Sequence, residues 1–131
     1  MKKKEVFLDT NFLLIPLQFK IDIFSELDRL MDYQQEITTG TPVLTELKKI
    51  TKNKGTKGMA AKFALKLITV NKEHGKIKVV KGTMPADDWI VEHAKETGAI
   101  VCTNDIELKK RLLGIKTRVI SLKSRSNIGF V

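Results

Sequence analysis

The segment Ala99-Ile100-Val101-Cys102 carries no polar side chain and runs between Gly98 and the polar triplet Thr103-Asn104-Asp105. A strand that is apolar on both of its alternating faces has to be covered on both, which is the situation of an inner strand in a helix-covered parallel sheet. The rest of the chain supplies the covering helices. Further strands are expected at 5–8, 37–39, 77–80 and 118–122. Between them, apolar residues recur at helical spacing: Ile23, Phe24, Leu27, Leu30 and Met31, then Val43, Leu44, Leu47 and Ile50. A third stripe is Met59, Ala60, Phe63, Ala64, Leu67 and Ile68, and further helices follow over 85–97 and 106–113, ended by Gly98 and Gly114. Thr41 is the expected N-cap of the helix that opens with Pro42. The order β-α-β-α-α-β-α-β-α-β predicts an α/β protein. It is a three-layer α/β/α fold, with right-handed crossovers around a mainly parallel sheet of about five strands.

With 131 residues the chain has material for one domain, 1–131, and Ser124–Val131 reads as a loosely held tail. Its single cysteine, Cys102, excludes a disulfide framework and a zinc knuckle, and fits a core thiol in a reducing compartment. The basic start and the apolar residues 6–8 and 12–17 mimic a leader, but Glu5, Asp9 and Asn11 interrupt the run. The apolar runs fall far short of the ~20 residues a membrane span needs. A cytoplasmic protein without a membrane partner is the expectation.

Charge narrows the partner. Twenty-four Lys and Arg against fifteen Asp and Glu leave a net +9, which points to a polyanion. The excess is local. Residues 47–72 hold eight lysines and no acid, and residues 105–125 hold seven Lys and Arg against two acids. Lys48, Lys49, Lys52, Lys54, Lys57, Lys109, Lys110 and Arg111 are therefore the candidate nucleic-acid contacts. Residues 20–36, with five acids and two bases, should face away from such a ligand.

The acids carry the chemistry. Open α/β sheets form their sites outside the carboxyl ends of the strands. Asp9 ends the first strand, Asp105 follows the fourth, and Asp87 opens the helix after the third. Glu46 lies about one turn into the helix after the second and can lean back toward the same edge. Each alone has a bland reading. Asp9 or Asp105 would cap a helix, Asp87 and Asp88 would complement a helix dipole, and Glu46 would pair with Lys48 or Lys49. Four carboxylates on one edge, however, require protons or a hard divalent cation. Oxygen-only ligands favour Mg²⁺ or Mn²⁺, and such a site inside a basic protein suits phosphodiester hydrolysis. His74 and His93 are too scattered for ligands, and Trp89 reads as packing rather than as a base platform.

These residues resemble a known family. Leu8-Asp9-Thr10-Asn11-Phe12-Leu13-Leu14 is similar to the opening of PIN-domain nucleases, where a strand ends in Asp-x-Asn/Ser before an apolar turn. Val43-Leu44-Thr45-Glu46-Leu47 resembles the family's glutamate-bearing helix. Asp87, followed by Ile90 and Ala94, resembles its third acid, and Ile100-Val101-Cys102-Thr103-Asn104-Asp105 its last. The resemblance implies that Asp9, Glu46, Asp87 and Asp105 are catalytic and hold one or two Mg²⁺ or Mn²⁺ ions. Asn11 and Thr103 would orient them, with Asp88 auxiliary. It also implies an endonuclease acting on single-strand-type RNA, leaving a 5′-phosphate and a 3′-hydroxyl.

Ala86–Ile90 and Thr103–Leu112 look closest to the Fcf1-like branch, linked to rRNA processing; VapC-type toxins, silenced by an antitoxin, are next. Expected partners are RNA (rRNA or tRNA), a second copy of the chain, and a ribosome-assembly factor or an antitoxin. Two other functions compete: a PIN-fold module that binds RNA or an assembly partner without turnover, and a haloacid-dehalogenase-like phosphatase. The phosphatase needs Asp-x-Asp, whereas position 11 is Asn.

Overall fold

Leu8 is paired with Cys102 on one side while Phe7, its neighbour, is paired with Thr38 on the other. The first strand, β1 (Lys4–Leu8), is therefore central. The computed structural model describes residues 3–31 and 34–131. In it β1 is followed by three helices, α1 (Thr10–Leu13), α2 (Ile15–Phe19) and α3 (Ile23–Leu30). Strand β2 (Gln35–Gly40), helices α4 (Thr41–Ile50) and α5 (Thr56–Glu73), and strand β3 (Lys78–Val80) come next. Helix α6 (Ala86–Thr97), β4 (Ile100–Cys102), α7 (Ile106–Gly114), β5 (Val119–Ser124) and β6 (Asn127–Phe130) complete the order. No helix among the described residues is long and apolar enough to cross a membrane.

The strands run β3-β2-β1-β4-β5-β6, all parallel except the last pair. The chain winds outward from β1 to β3, then crosses back through α6 to place β4 on the other side of β1. That reversal between β1 and β4 splays their following loops and leaves a crevice at the carboxyl edge. The core beneath it is apolar and fully covered, with Val6, Phe7, Leu8, Phe12, Ile15, Leu47, Ile90 and Val101 among its members. Burial of each such large side chain is worth about 1.5–3 kcal/mol.

The structure departs from the sequence expectations in four places. The tail is a sixth strand: Asn127–Phe130 pairs antiparallel with β5, Ile128 is buried, and Arg118 lies 4.0 Å over the Phe130 ring. Ile128 and Phe130 alternate about Gly129, a strand pattern too short to stand out behind Ser124-Arg125-Ser126. The apolar run after Asp9 is two short helices rather than a turn. Met59 and Phe63 do not face the core; they are 60% and 42% exposed, and α5 instead buries Gly58, Ala60, Ala61, Ala64 and Ile68. Small residues on that face let α5 lie close to α2 and α4. Finally, Gly40 rather than Thr41 is the N-cap of α4. The Thr41 hydroxyl accepts from the Gly82 N–H at 3.0 Å, tying the β3–α6 loop to α4.

Trp89 locks the start of α6. Its ring lies between Gly40 and Gly82, where an added Cβ would come within 2.4 Å and 2.3 Å of the indole. It packs edge-on against Phe7 and stacks on His93, whose Nε2 lies 2.7 Å from Glu5 Oε2. Gly98, at φ 70°, ends α6 in the left-handed conformation that glycine adopts without strain.

Candidate active site

Asp9 follows β1 and takes the cap position of α1, yet its side chain caps nothing. Instead its Oδ2 accepts the Thr103 hydroxyl at 2.7 Å. The residue is only 3% exposed. Burial pushes its pKa up to about 6, against the pull of the Thr103 hydroxyl and the Thr10 N–H, and the charges of Asp87 and Glu46 push the same way as burial. Asp9, Glu46, Asp87 and Asp105 all line one pocket of about 410 Å³ at the carboxyl edge of the sheet.

Each acid is delivered by a different element. Glu46 sits on α4, and its Oε1 accepts the Thr10 hydroxyl at 2.5 Å. Asp87 lies in the first turn of α6, where partial burial raises its pKa, followed by the charges of Asp105 and Glu46, against the pull of Arg111. Asp105 does cap a helix, since its Oδ1 accepts the Leu108 N–H at 2.9 Å. Its capping role and its place in the pocket coexist, because only one oxygen is used.

A polar web holds the rim. The Thr103 hydroxyl also accepts the Asp105 N–H at 3.1 Å. Asn11 Oδ1 accepts the Asn104 N–H at 2.9 Å, and Asn104 Oδ1 in turn accepts the Leu122 N–H at 2.9 Å. The Ser121 hydroxyl donates to the Thr103 carbonyl. Asn11 and Thr103 thus stand where the sequence places them, beside the acids. Thr10, Asn104 and Ser121 were not foreseen. Thr10 and Asn104 had a signal, standing inside Asp-Thr-Asn and Thr-Asn-Asp; Ser121 had none.

Other expected residues part company. Asp88 does not line the pocket; it pairs with Arg111 at 2.9 Å on the surface. Adjacent helix positions point about 100° apart, so Asp87 and Asp88 cannot share one site. Lys49 and Lys57 line the acidic pocket, whereas Lys48 lines a groove with Lys72 and Glu73. Lys52 and Lys54 are exposed in the loop after α4. On α7, Lys109 is half-buried and Lys110 lies 3.9 Å from Glu107.

The donor chemistry of the four acids fits a hard divalent cation. All donors are carboxylate oxygens, Asp9 is buried, and among the described residues none of the four lies within ion-pair distance of a Lys or Arg. Among those residues, however, no three acids stand close enough to hold one ion together. The carboxylates share a pocket without converging on a point.

Comparison with known proteins gives the same direction from outside. A family model described as "PIN like domain" matches residues 6–125. The chain is 34% identical over 106 residues to Ribonuclease VapC4 of Methanocaldococcus jannaschii, covering 80% of this chain and 79% of that protein. It is 35% identical over 104 residues to Ribonuclease VapC9 of Archaeoglobus fulgidus, covering 79% and 71%. Among solved structures, the PIN domain endonuclease Utp24 matches with a TM-score of 0.78 and 27% identity, covering 96% of this chain and 90% of that one. The structure of VapBC-1 from nontypeable Haemophilus influenzae matches with a TM-score of 0.56 over 84% of this chain and 93% of that one. At 14% identity that last likeness is one of fold alone.

Proposed function

The chain belongs to the PIN-like domain family, and on that premise we propose that it is a Mg²⁺- or Mn²⁺-dependent endoribonuclease hydrolysing phosphodiester bonds. The observation that carries this reading is the meeting of buried Asp9 with Glu46, Asp87 and Asp105 in one pocket, none of them within ion-pair distance of a Lys or Arg among the described residues. The ribonuclease names of the VapC4 and VapC9 relatives support it.

In this reading Asp9, Glu46, Asp87 and Asp105 would hold one or two cations between them, and the metal would polarise the phosphate and lower the pKa of the attacking water. The chain itself supplies position. Thr103 fixes the orientation of Asp9, and Thr10 fixes that of Glu46. Asn11 anchors the loop that presents Asp105. Lys49 and Lys57 bring positive charge to a pocket that would otherwise repel a polyanion. Cleavage of rRNA and tRNA fragments in Mn²⁺ tests the reading: wild type should cut, and Asp9→Asn should not. Equal cleavage by both removes the assignment.

Two substrates divide the reading. Processing of rRNA is supported by the resemblance of 86–90 and 103–112 to the Fcf1-like branch, and endonuclease activity by the structural match to the PIN domain endonuclease Utp24. A toxin role, with an antitoxin partner, is supported by the two VapC relatives. Crosslinking the chain to cellular RNA and sequencing the bound sites separates them, since rRNA precursors favour processing whereas mature tRNA or rRNA favours the toxin role.

A further inference from the structure

The pocket that gathers the four carboxylates is also lined by two lysines, Lys49 and Lys57, and three apolar side chains, Leu14, Ile50 and Met84. Neither lysine lies within ion-pair distance of any acid among the described residues, although four carboxylates line the same space. Their charge is left for a third group, and an anion is the group that both lysines attract. Leu14 is buried and Ile50 half-buried, but Met84 keeps 50% of its surface in water. The loop that presents it is fastened two residues earlier, where the Gly82 N–H donates to Thr41 and Trp89 lies against the Gly82 backbone. An exposed thioether on a fastened loop beside a charged pocket gains by being covered with a flat apolar face.

A nucleotide offers both chemistries, a base face and a phosphate. A stacked base has its faces already covered, so only an unpaired one can present a face to a side chain. We propose that Met84 is a specificity-determining residue: the pocket takes one unpaired nucleotide, its base against Met84 and its phosphate on Lys49 and Lys57. This rests on the nuclease reading of the same pocket and names which residues select the nucleotide.

The test uses an RNA duplex carrying a single bulged uridine and the same duplex with an abasic bulge. Binding to the full chain is read in Ca²⁺, without turnover. Wild type should bind the uridine bulge about fivefold more tightly than the abasic one, the scale of partial burial of one apolar side chain. Met84→Ser should bind the two alike. Ile106→Ser is the control, since Ile106 is 66% exposed beside Asp105 but does not line the pocket, and it should keep the fivefold preference. Replacing Lys49 and Lys57 by Gln should weaken both duplexes equally and reduce the salt slope by about 0.7–0.9, the contribution of the one phosphate they share. Equal binding of both bulges by wild type, or a preference that survives in Met84→Ser, overturns the proposal. A chain that shows the preference but cleaves nothing in Mn²⁺ retains the nucleotide subsite and loses the nuclease reading; cleavage without the preference does the reverse.

Discussion

Thr103 and Asp9 are 94 residues apart, yet the Thr103 hydroxyl donates to Asp9 Oδ2 at 2.7 Å, joining the ends of two adjacent central strands. That bond is what an Asp at a strand end gains by not capping its helix. Thr103→Val removes the donor while nearly conserving volume, and it also frees the Asp105 N–H that the hydroxyl accepts. A lost hydrogen bond to a charged group costs about 1.5–3 kcal/mol. Cleavage should fall at least tenfold with the fold retained, read as kcat beside a near-native far-UV spectrum; undiminished kcat would remove Thr103 from the machinery.

Asp9 itself should be a burden on the metal-free fold. Its pKa stands at about 6 against an ordinary 3.8, so between those values the folded chain holds a proton that the unfolded chain releases. Stability therefore falls as pH rises through that window, and at pH 7 the loss amounts to about 3 kcal/mol. Asp9→Asn escapes it. In EDTA the variant should be more stable than wild type at pH 7, with the gain vanishing below about pH 4, as read by urea unfolding across pH. Added Mn²⁺ should stabilise wild type and not the variant.

Asp87 and Asp88 separate a functional acid from a surface one. Asp88→Ala breaks only an exposed pair with Arg111, worth about 0–1 kcal/mol, and should leave kcat/KM within about twofold. Asp87→Asn should lower kcat by about a hundredfold or more. If the two variants lost activity equally, the pocket as drawn would be wrong.

How much of this was legible in the sequence follows from the range of the interactions. Asp9, Asp87 and Asp105 were visible because strand ends and helix starts are local features, and parallel α/β topology brings such ends to one edge. The bonds that orient them span 36 residues from Thr10 to Glu46 and 94 from Thr103 to Asp9, and only the folded register creates them. Asp88 read as auxiliary to Asp87, because Ile90 and Ala94 set the register on Asp87, but only the folded helix shows it turned toward Arg111. The basic segment 47–72 read as one patch, but α4 sends Lys49 to the pocket and Lys48 to another groove. Met59 and Phe63 fitted a helical stripe, while alanines won the buried face because α5 packs close.

The last strand supplies a test of the fold rather than of the site. Ile128 is buried, Arg118 covers Phe130, and the Val131 N–H donates to the Val119 carbonyl at 2.9 Å. A loose tail would lose nothing on truncation. A sixth strand closes the edge of β5, whose backbone groups would otherwise stand unpaired and open to association. Ile128→Ala should cost about 2–4 kcal/mol in urea unfolding, in the range for emptying a core site. Deletion of 125–131 should cost more and raise light scattering, since β5 then becomes a free edge. If both variants unfolded at the wild-type midpoint, the strand would contribute nothing to the core.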